Sequence, residues 1–123
     1  MKIRIYPIKS PLHDEAYINE KRDNLLKSLK ALTGDEYVIS DIGHLYDDDL
    51  GMILVESGGS EAYFSEVFNK LKAPIYLLTY GTNNSLAASL EILSYIQQNG
   101  SEGEILHGSD SYIASRIREI EHA

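Results

Sequence analysis

The chain contains no cysteine, and this absence removes disulfides, thiolate nucleophiles and Cys-ligated zinc or iron–sulfur centres. It also lacks any apolar run approaching the roughly 20 residues of a membrane span. At the start, Lys2, Ile3, Arg4, Ile5 and Tyr6 alternate in character where a secretory signal would place a basic stretch and then a long apolar one. The cytoplasm is therefore the expected location, with no membrane partner. Basic residues are scarce as well: 11 Lys and Arg stand against 19 Asp and Glu, giving a formal net charge of -8. Such a surface repels phosphate backbones, so nucleic acid is not an expected partner, and the acidity by itself implies solubility and names no ligand.

What is present reads as one globular unit. The chain has 123 residues, 43% of them hydrophobic and 24% charged, which suits a single domain over residues 1–123 with one core and argues against disorder. Residues 2–6 alternate and stop at Pro7 and Pro11, the pattern of a short strand and a rigid loop. From about residue 14 to 33, Leu25, Leu29 and Leu32 recur at helical spacing ahead of Gly34. Residues 37–42 suit a partly exposed edge strand, whereas 52–55 and 75–78 are continuous apolar runs expected of central strands covered on both faces. Between those runs, Tyr63, Phe64, Val67, Phe68 and Leu71 hold a helical period, with Ser60 available as the cap and Pro74 beyond the end. A further helix over Leu86, Leu90, Leu93 and Ile96 ends at Gly100. A fifth strand over 104–107 and a last helix capped by Ser109 complete the chain. This alternation predicts a three-layer, doubly wound parallel sheet of about five strands, flavodoxin-like in order. Two features strain it: the connection over 43–51 is short for a parallel crossover, and Lys2 and Arg4 make the first strand polar for an interior position.

Ligands of open parallel sheets bind outside the carboxyl ends of the strands, where helix N-termini converge. The segment Glu56-Ser57-Gly58-Gly59-Ser60-Glu61 places two glycines before a helix, so that the Gly58 and Gly59 backbone can approach a ligand closely, or can simply turn the chain. Its carboxylates disfavour a strong anion, and it has neither a Walker lysine nor a dinucleotide fingerprint. Tyr80-Gly81-Thr82-Asn83-Asn84-Ser85 gathers neutral hydrogen-bonding groups, of which one is needed as a helix cap. Thr82, Asn83, Asn84 and Ser85 are the residues expected to meet ligand hydroxyls. His13, His44 and His107 with Glu56 or Asp47–Asp49 could be imagined as a metal set, but no pair shows the i, i+4 spacing of a helical metal pair, so no metal site is expected. No Gly-x-Ser-x-Gly elbow is present. The strand ends also lack the acidic residues of a receiver domain, and the loop after strand one lacks flavodoxin's hydroxyl-rich phosphate-binding sequence.

The stretch Pro74-Ile75-Tyr76-Leu77-Leu78-Thr79-Tyr80-Gly81-Thr82-Asn83-Asn84-Ser85-Leu86-Ala87-Ala88-Ser89-Leu90-Glu91-Ile92, then Gly100 and Ile105-Leu106-His107-Gly108, resembles the amino-terminal domain of the L-fucose/L-arabinose isomerase-like family. The shared features are an Asn-Ser-Leu-x-Ala segment, a helix, a glycine and a strand ending His-Gly, over about a third of the chain. Ala87 stands where the family often has proline. The resemblance implies a flavodoxin-like domain that helps shape a sugar pocket, with Asn84, Ser85 and His107 as matching positions. Manganese ligands and proton-transfer carboxylates would lie in later domains of a full-length member. This chain is accordingly expected to have no catalytic residue and no cofactor of its own. The competing expectation is an assembly domain, motivated by the missing catalytic machinery and by nine tyrosines, a residue type enriched at interfaces. A homo-oligomer or later domains of a longer protein are the macromolecular partners these readings leave.

Overall fold

Continuous apolar runs become the middle of the sheet because only there are both faces covered. The computed structural model describes residues 1–11, 14–47, 49–80 and 84–123. Strands β1 (Lys2–Ile8), β2 (Glu36–Ile39), β3 (Leu50–Val55), β4 (Ile75–Leu78) and β5 (Gly103–Leu106) alternate with helices α1 (Glu15–Thr33), α2 (Glu61–Val67), α3 (Ser85–Gln98) and α4 (Asp110–Glu121). A 3-10 turn, Phe68–Lys70, extends α2. All strands are parallel in the order β2-β1-β3-β4-β5, the flavodoxin-like arrangement. The direction of winding reverses between β1 and β3.

Two apolar layers flank the sheet. On one face Leu25, Leu26 and Leu29 of α1 and Ile113, Ala114 and Ile117 of α4 pack on Ile3, Ile5, Met52, Leu54, Leu78 and Leu106. On the other, Phe64 and Val67 of α2 and Ala88, Ile92 and Ile96 of α3 pack on Tyr6, Ile8, Ile53, Val55 and Leu77. The helix ends follow the expected chemistry. Asp14 accepts from the backbone N–H groups of Ala16 and Tyr17, Gly34 closes α1 in the left-handed region at φ 77, and the Ser109 hydroxyl accepts from Tyr112 N–H. Ser60 stands at the start of α2 without capping it by its side chain. Among the described residues no helix is long and apolar enough to cross a membrane.

The polar first strand has a specific cause. The connection between β2 and β3 carries no helix among its described residues, so at the amino end of β1 a loop, rather than an apolar helix face, covers Arg4. That loop is polar where it meets the guanidinium. Arg4 Nε donates to Asp49 at 2.8 Å, Nη1 donates to Ser40 at 3.1 Å, and the guanidinium lies 3.7 Å from the centre of the Tyr46 ring. An interior strand can thus hold an arginine because its neighbours supply a carboxylate, a hydroxyl and a π-face. The second strand is shorter than expected and lies at the sheet edge, with Ile39 exposed.

Candidate functional site at the carboxyl edge

Burying a hydroxyl or a carboxylate costs free energy unless it finds partners. Among the described residues the buried polar groups are Ser10, Asp35, Glu56, Ser57, Ser60, Thr79, Ser85 and Ser89. All but Asp35 lie at the carboxyl edge of the sheet or within the first two turns of the helices that start there. The loops after β1 and β3, which flank the reversal point, are joined directly: Ser10 N–H donates to Ser57 Oγ at 2.8 Å. The Ser60 hydroxyl donates to the Ser57 carbonyl at 2.8 Å. Gly59 lies between them at φ 84, and a Cβ there would stand 3.3 Å from Ser10 Cβ. Glycine is required at this position both for the left-handed backbone and for the close approach of the two loops.

Glu56 emerges from β3 fully buried, and it is paired. Arg22 Nε donates to Oε2 at 3.0 Å and Nη2 donates to Oε1 at 2.6 Å, a two-pronged contact across the sheet edge. The hydrogen bond to Glu56 holds the Arg22 guanidinium above its usual range. The Tyr80 hydroxyl approaches Glu56 Oε2 at 3.4 Å. Burial first, and the Glu56 charge second, push this phenol above its ordinary value, so it stays a neutral donor. The negative charge of Glu56 is thereby cancelled within the fold. Arg22 carries a sequence signal of its own, since it falls on the buried stripe of α1 with Ile18, Leu25 and Leu29. A lone arginine on an apolar stripe, together with a glutamate directly after an apolar strand, marks such a pair.

The expected ligand residues separate into groups. Gly58, Gly59 and Asn84 come together around a concave site of about 340 Å³, joined by Ala87 and by the carboxylates Glu61 and Glu91. Asn84 occupies the left-handed region at φ 59 at the start of α3 and makes no side-chain capping bond. Its amide is not used to close the helix. Ser85 is different: its hydroxyl is fully buried, donates to the Val55 carbonyl and contacts the Thr79 hydroxyl. It joins α3 to β3 and β4. His107 is exposed beyond β5 and is not among the residues lining the concave site. Thr82 and Asn83 lie outside the described residues, as does His13.

Glu61 Oε2 is buried without a hydrogen-bond partner among the described residues. The Glu61 residue also lines the concave site. Glu56 is engaged by Arg22, and among the described residues no group of three His, Cys, Asp or Glu converges. His44 and Asp47 sit in the β2–β3 connection, and Asp47 lies at the amino edge, opposite His107. No family model, no curated protein and no solved structure matches this chain.

Proposed function

We propose that the chain is a ligand-binding α/β domain whose carboxyl edge takes a neutral, hydroxyl-rich molecule, a sugar of the aldose or ketose class. The observation that carries the reading is the concave site itself. Two glycines, the Asn84 amide, which makes no capping bond, and the Glu61 and Glu91 carboxylates surround one cavity. A hydroxyl donates to a carboxylate and accepts from an amide, so a polyol matches this set, whereas an anion meets Glu61 and Glu91. The resemblance of residues 74–92 and 105–108 to the amino-terminal domain of L-fucose/L-arabinose isomerase-like proteins gives the sugar direction. Catalysis is assigned to other chains or domains, since Glu56 is held by Arg22 and cannot serve as a free base.

Calorimetric titration with L-fucose, L-arabinose and other common aldoses and ketoses tests this. We expect saturable binding in the millimolar range or tighter, weakened in Asn84→Ala. No heat from any sugar at about 10 mM, a concentration that reveals millimolar affinities, would sink the proposal. With manganese or magnesium added, the chain alone should form no ketose from these aldoses.

A second reading is favoured by the placement of three exposed tyrosines. Tyr17, Tyr63 and Tyr112 are each the third residue of their helix and thus ring the carboxyl edge. Aromatic side chains at such positions suit a partner that covers this edge, a second copy or a further domain. Light scattering separates the readings: a strict monomer at millimolar chain concentration would count against self-association.

A further inference from the structure

The amino edge of the sheet carries a second concave site, distant from the one described above and opposite to it in character. The ladder between β1 and β3 runs over six residue pairs, from Ile3 with Leu50 to Ile8 with Val55. Between β3 and β4 it comprises only Ile53 with Leu77 and Leu54 with Leu78. Ahead of these pairs the two strands flank a groove of about 400 Å³, within the range of small-molecule sites. Its apolar lining comes from Leu45, Ile53, Leu71 and Ile75, with the rings of Tyr6 and Tyr46 beside them.

This groove is held in shape by the fold. The buried Tyr6 hydroxyl accepts from the backbone N–H of Tyr46 at 3.0 Å, and Arg4 stacks on the Tyr46 ring, so the covering loop is tied down at successive points. On the adjacent strand, Gly51 brings bare backbone against Tyr6: a Cβ there would lie 3.1 Å from the ring carbon Cε2. A preformed wall lowers the ordering cost of binding. The rim is charged, and its charges are unequal. Asp49 is taken up by Arg4 at 2.8 Å. Asp47 faces Lys72 at 3.3 Å with both side chains exposed, an arrangement that leaves the lysine able to turn to another anion. Lys70 lines the groove with no ion-pair partner among the described residues.

We propose that the amino-edge groove is a binding site for a small apolar anion, an aromatic or aliphatic body lying on Leu45, Leu71 and Ile75 with its carboxylate or sulfonate at Lys70 and Lys72. The floor of the groove is apolar and its charges lie at the rim, so it suits an apolar body bearing one charged group better than a polyol, which would leave its hydroxyls against Leu45, Leu71 and Ile75. A formal charge of -8 repels anions from the surface at large. An anion that binds this chain therefore reports a local site.

The probe is 8-anilinonaphthalene-1-sulfonate, titrated into the full chain at neutral pH and low salt and followed by its fluorescence and by amide chemical shifts. Saturation near one equivalent is expected, with shifts concentrated at Gly51, Ile53, Leu71, Ile75 and Tyr76. Leu71→Glu and the double variant Lys70→Glu/Lys72→Glu should each weaken binding about tenfold or more. Leu90→Glu, which alters an exposed leucine on α3, should leave it unchanged. Should Leu71→Glu perturb folding, the double variant decides, because both lysines are exposed. Non-saturating uptake, shifts confined to another surface, or wild-type affinity in the double variant would overturn the proposal.

Discussion

Replacing Glu121 by glutamine should stabilise the protein at pH 8 and leave it unchanged near pH 4.5. Glu121 ends α4 beside Asp35, which precedes β2 and is only 6% exposed. Asp35 Oδ1 lies 3.3 Å from the Met1 amino group, whereas Oδ2 is buried with no donor among the described residues. A protonated Glu121 can donate to Asp35; an ionised one faces a second carboxylate. Burial first, then the hydrogen bond to Asp35 and its charge, push the Glu121 carboxyl from an ordinary 4.5 up to about 7, opposed by the Met1 amine and Arg118. Because the folded value is raised, the folded state binds the proton more tightly. The resulting stability is complete below about pH 4.5 and is lost as pH rises through about 7. The full interval would correspond to roughly 3 kcal/mol, and solvent screening at this helix end reduces it to about 1 kcal/mol. Glutamine keeps a donor and cannot ionise, so it removes the loss. Urea unfolding followed by circular dichroism at pH 4.5 and pH 8 and at constant salt measures the difference. A variant-to-wild-type gap that is the same at both pH values, or a less stable variant at pH 8, would refute this account of the Asp35–Glu121 pair.

Other substitutions probe the carboxyl edge and the helix entries. Arg22→Met strands the buried Glu56 carboxylate and should cost about 3–5 kcal/mol in urea unfolding, with most of the loss recovered in Arg22→Met/Glu56→Gln. Gly59→Ala forces a side chain into the left-handed region and toward Ser10. A loss of about 1–2 kcal/mol is expected by thermal or chemical unfolding, together with weaker sugar binding. Asp14→Ala removes the side-chain acceptor for two N–H groups of α1 and should cost about 1 kcal/mol in the same assay.

Much of this architecture is legible along the chain because it depends on local pattern. The apolar runs that became β3 and β4 could only be central, and Gly34, Ser109 and the Leu25–Leu29 spacing fix α1 and α4 by chemistry confined to a few residues. Arg4 resisted the same reading, since its acceptability in β1 depends on Ser40, Tyr46 and Asp49, which lie 36 to 45 positions further on. The carboxyl edge divides in the same way. Topology alone brings the ends of β3 and β4 together, so Gly58, Gly59 and Asn84 meet around one cavity. Which hydroxyl faces outward is decided by depth, and Ser85 is turned into the sheet by the Val55 carbonyl 30 residues away. No one-dimensional spacing encodes that choice.

The Glu56–Arg22 pair bears most directly on what the edge can bind. A buried ion pair is rarely the most stable solution, because a well-packed apolar pair of the same volume often does as well or better. Stability alone therefore does not account for a charged pair at the end of an apolar strand. Its position does more. The two-pronged contact fixes α1 against the end of β3, beside the loop that carries Gly58 and Gly59, and it places the Glu56 oxygen toward the Tyr80 hydroxyl. Because Arg22 neutralises Glu56, the charge left at the concave site belongs, among the described residues, to Glu61 and Glu91. Those two carboxylates would repel phosphate and could accept hydrogen bonds from hydroxyls, with Asn84 as the complementary donor. An acidic protein in this way presents an edge that disfavours anions. On the reading proposed above, hydroxyls donating to these carboxylates and accepting from Asn84 would favour an uncharged polyol over a phosphorylated one.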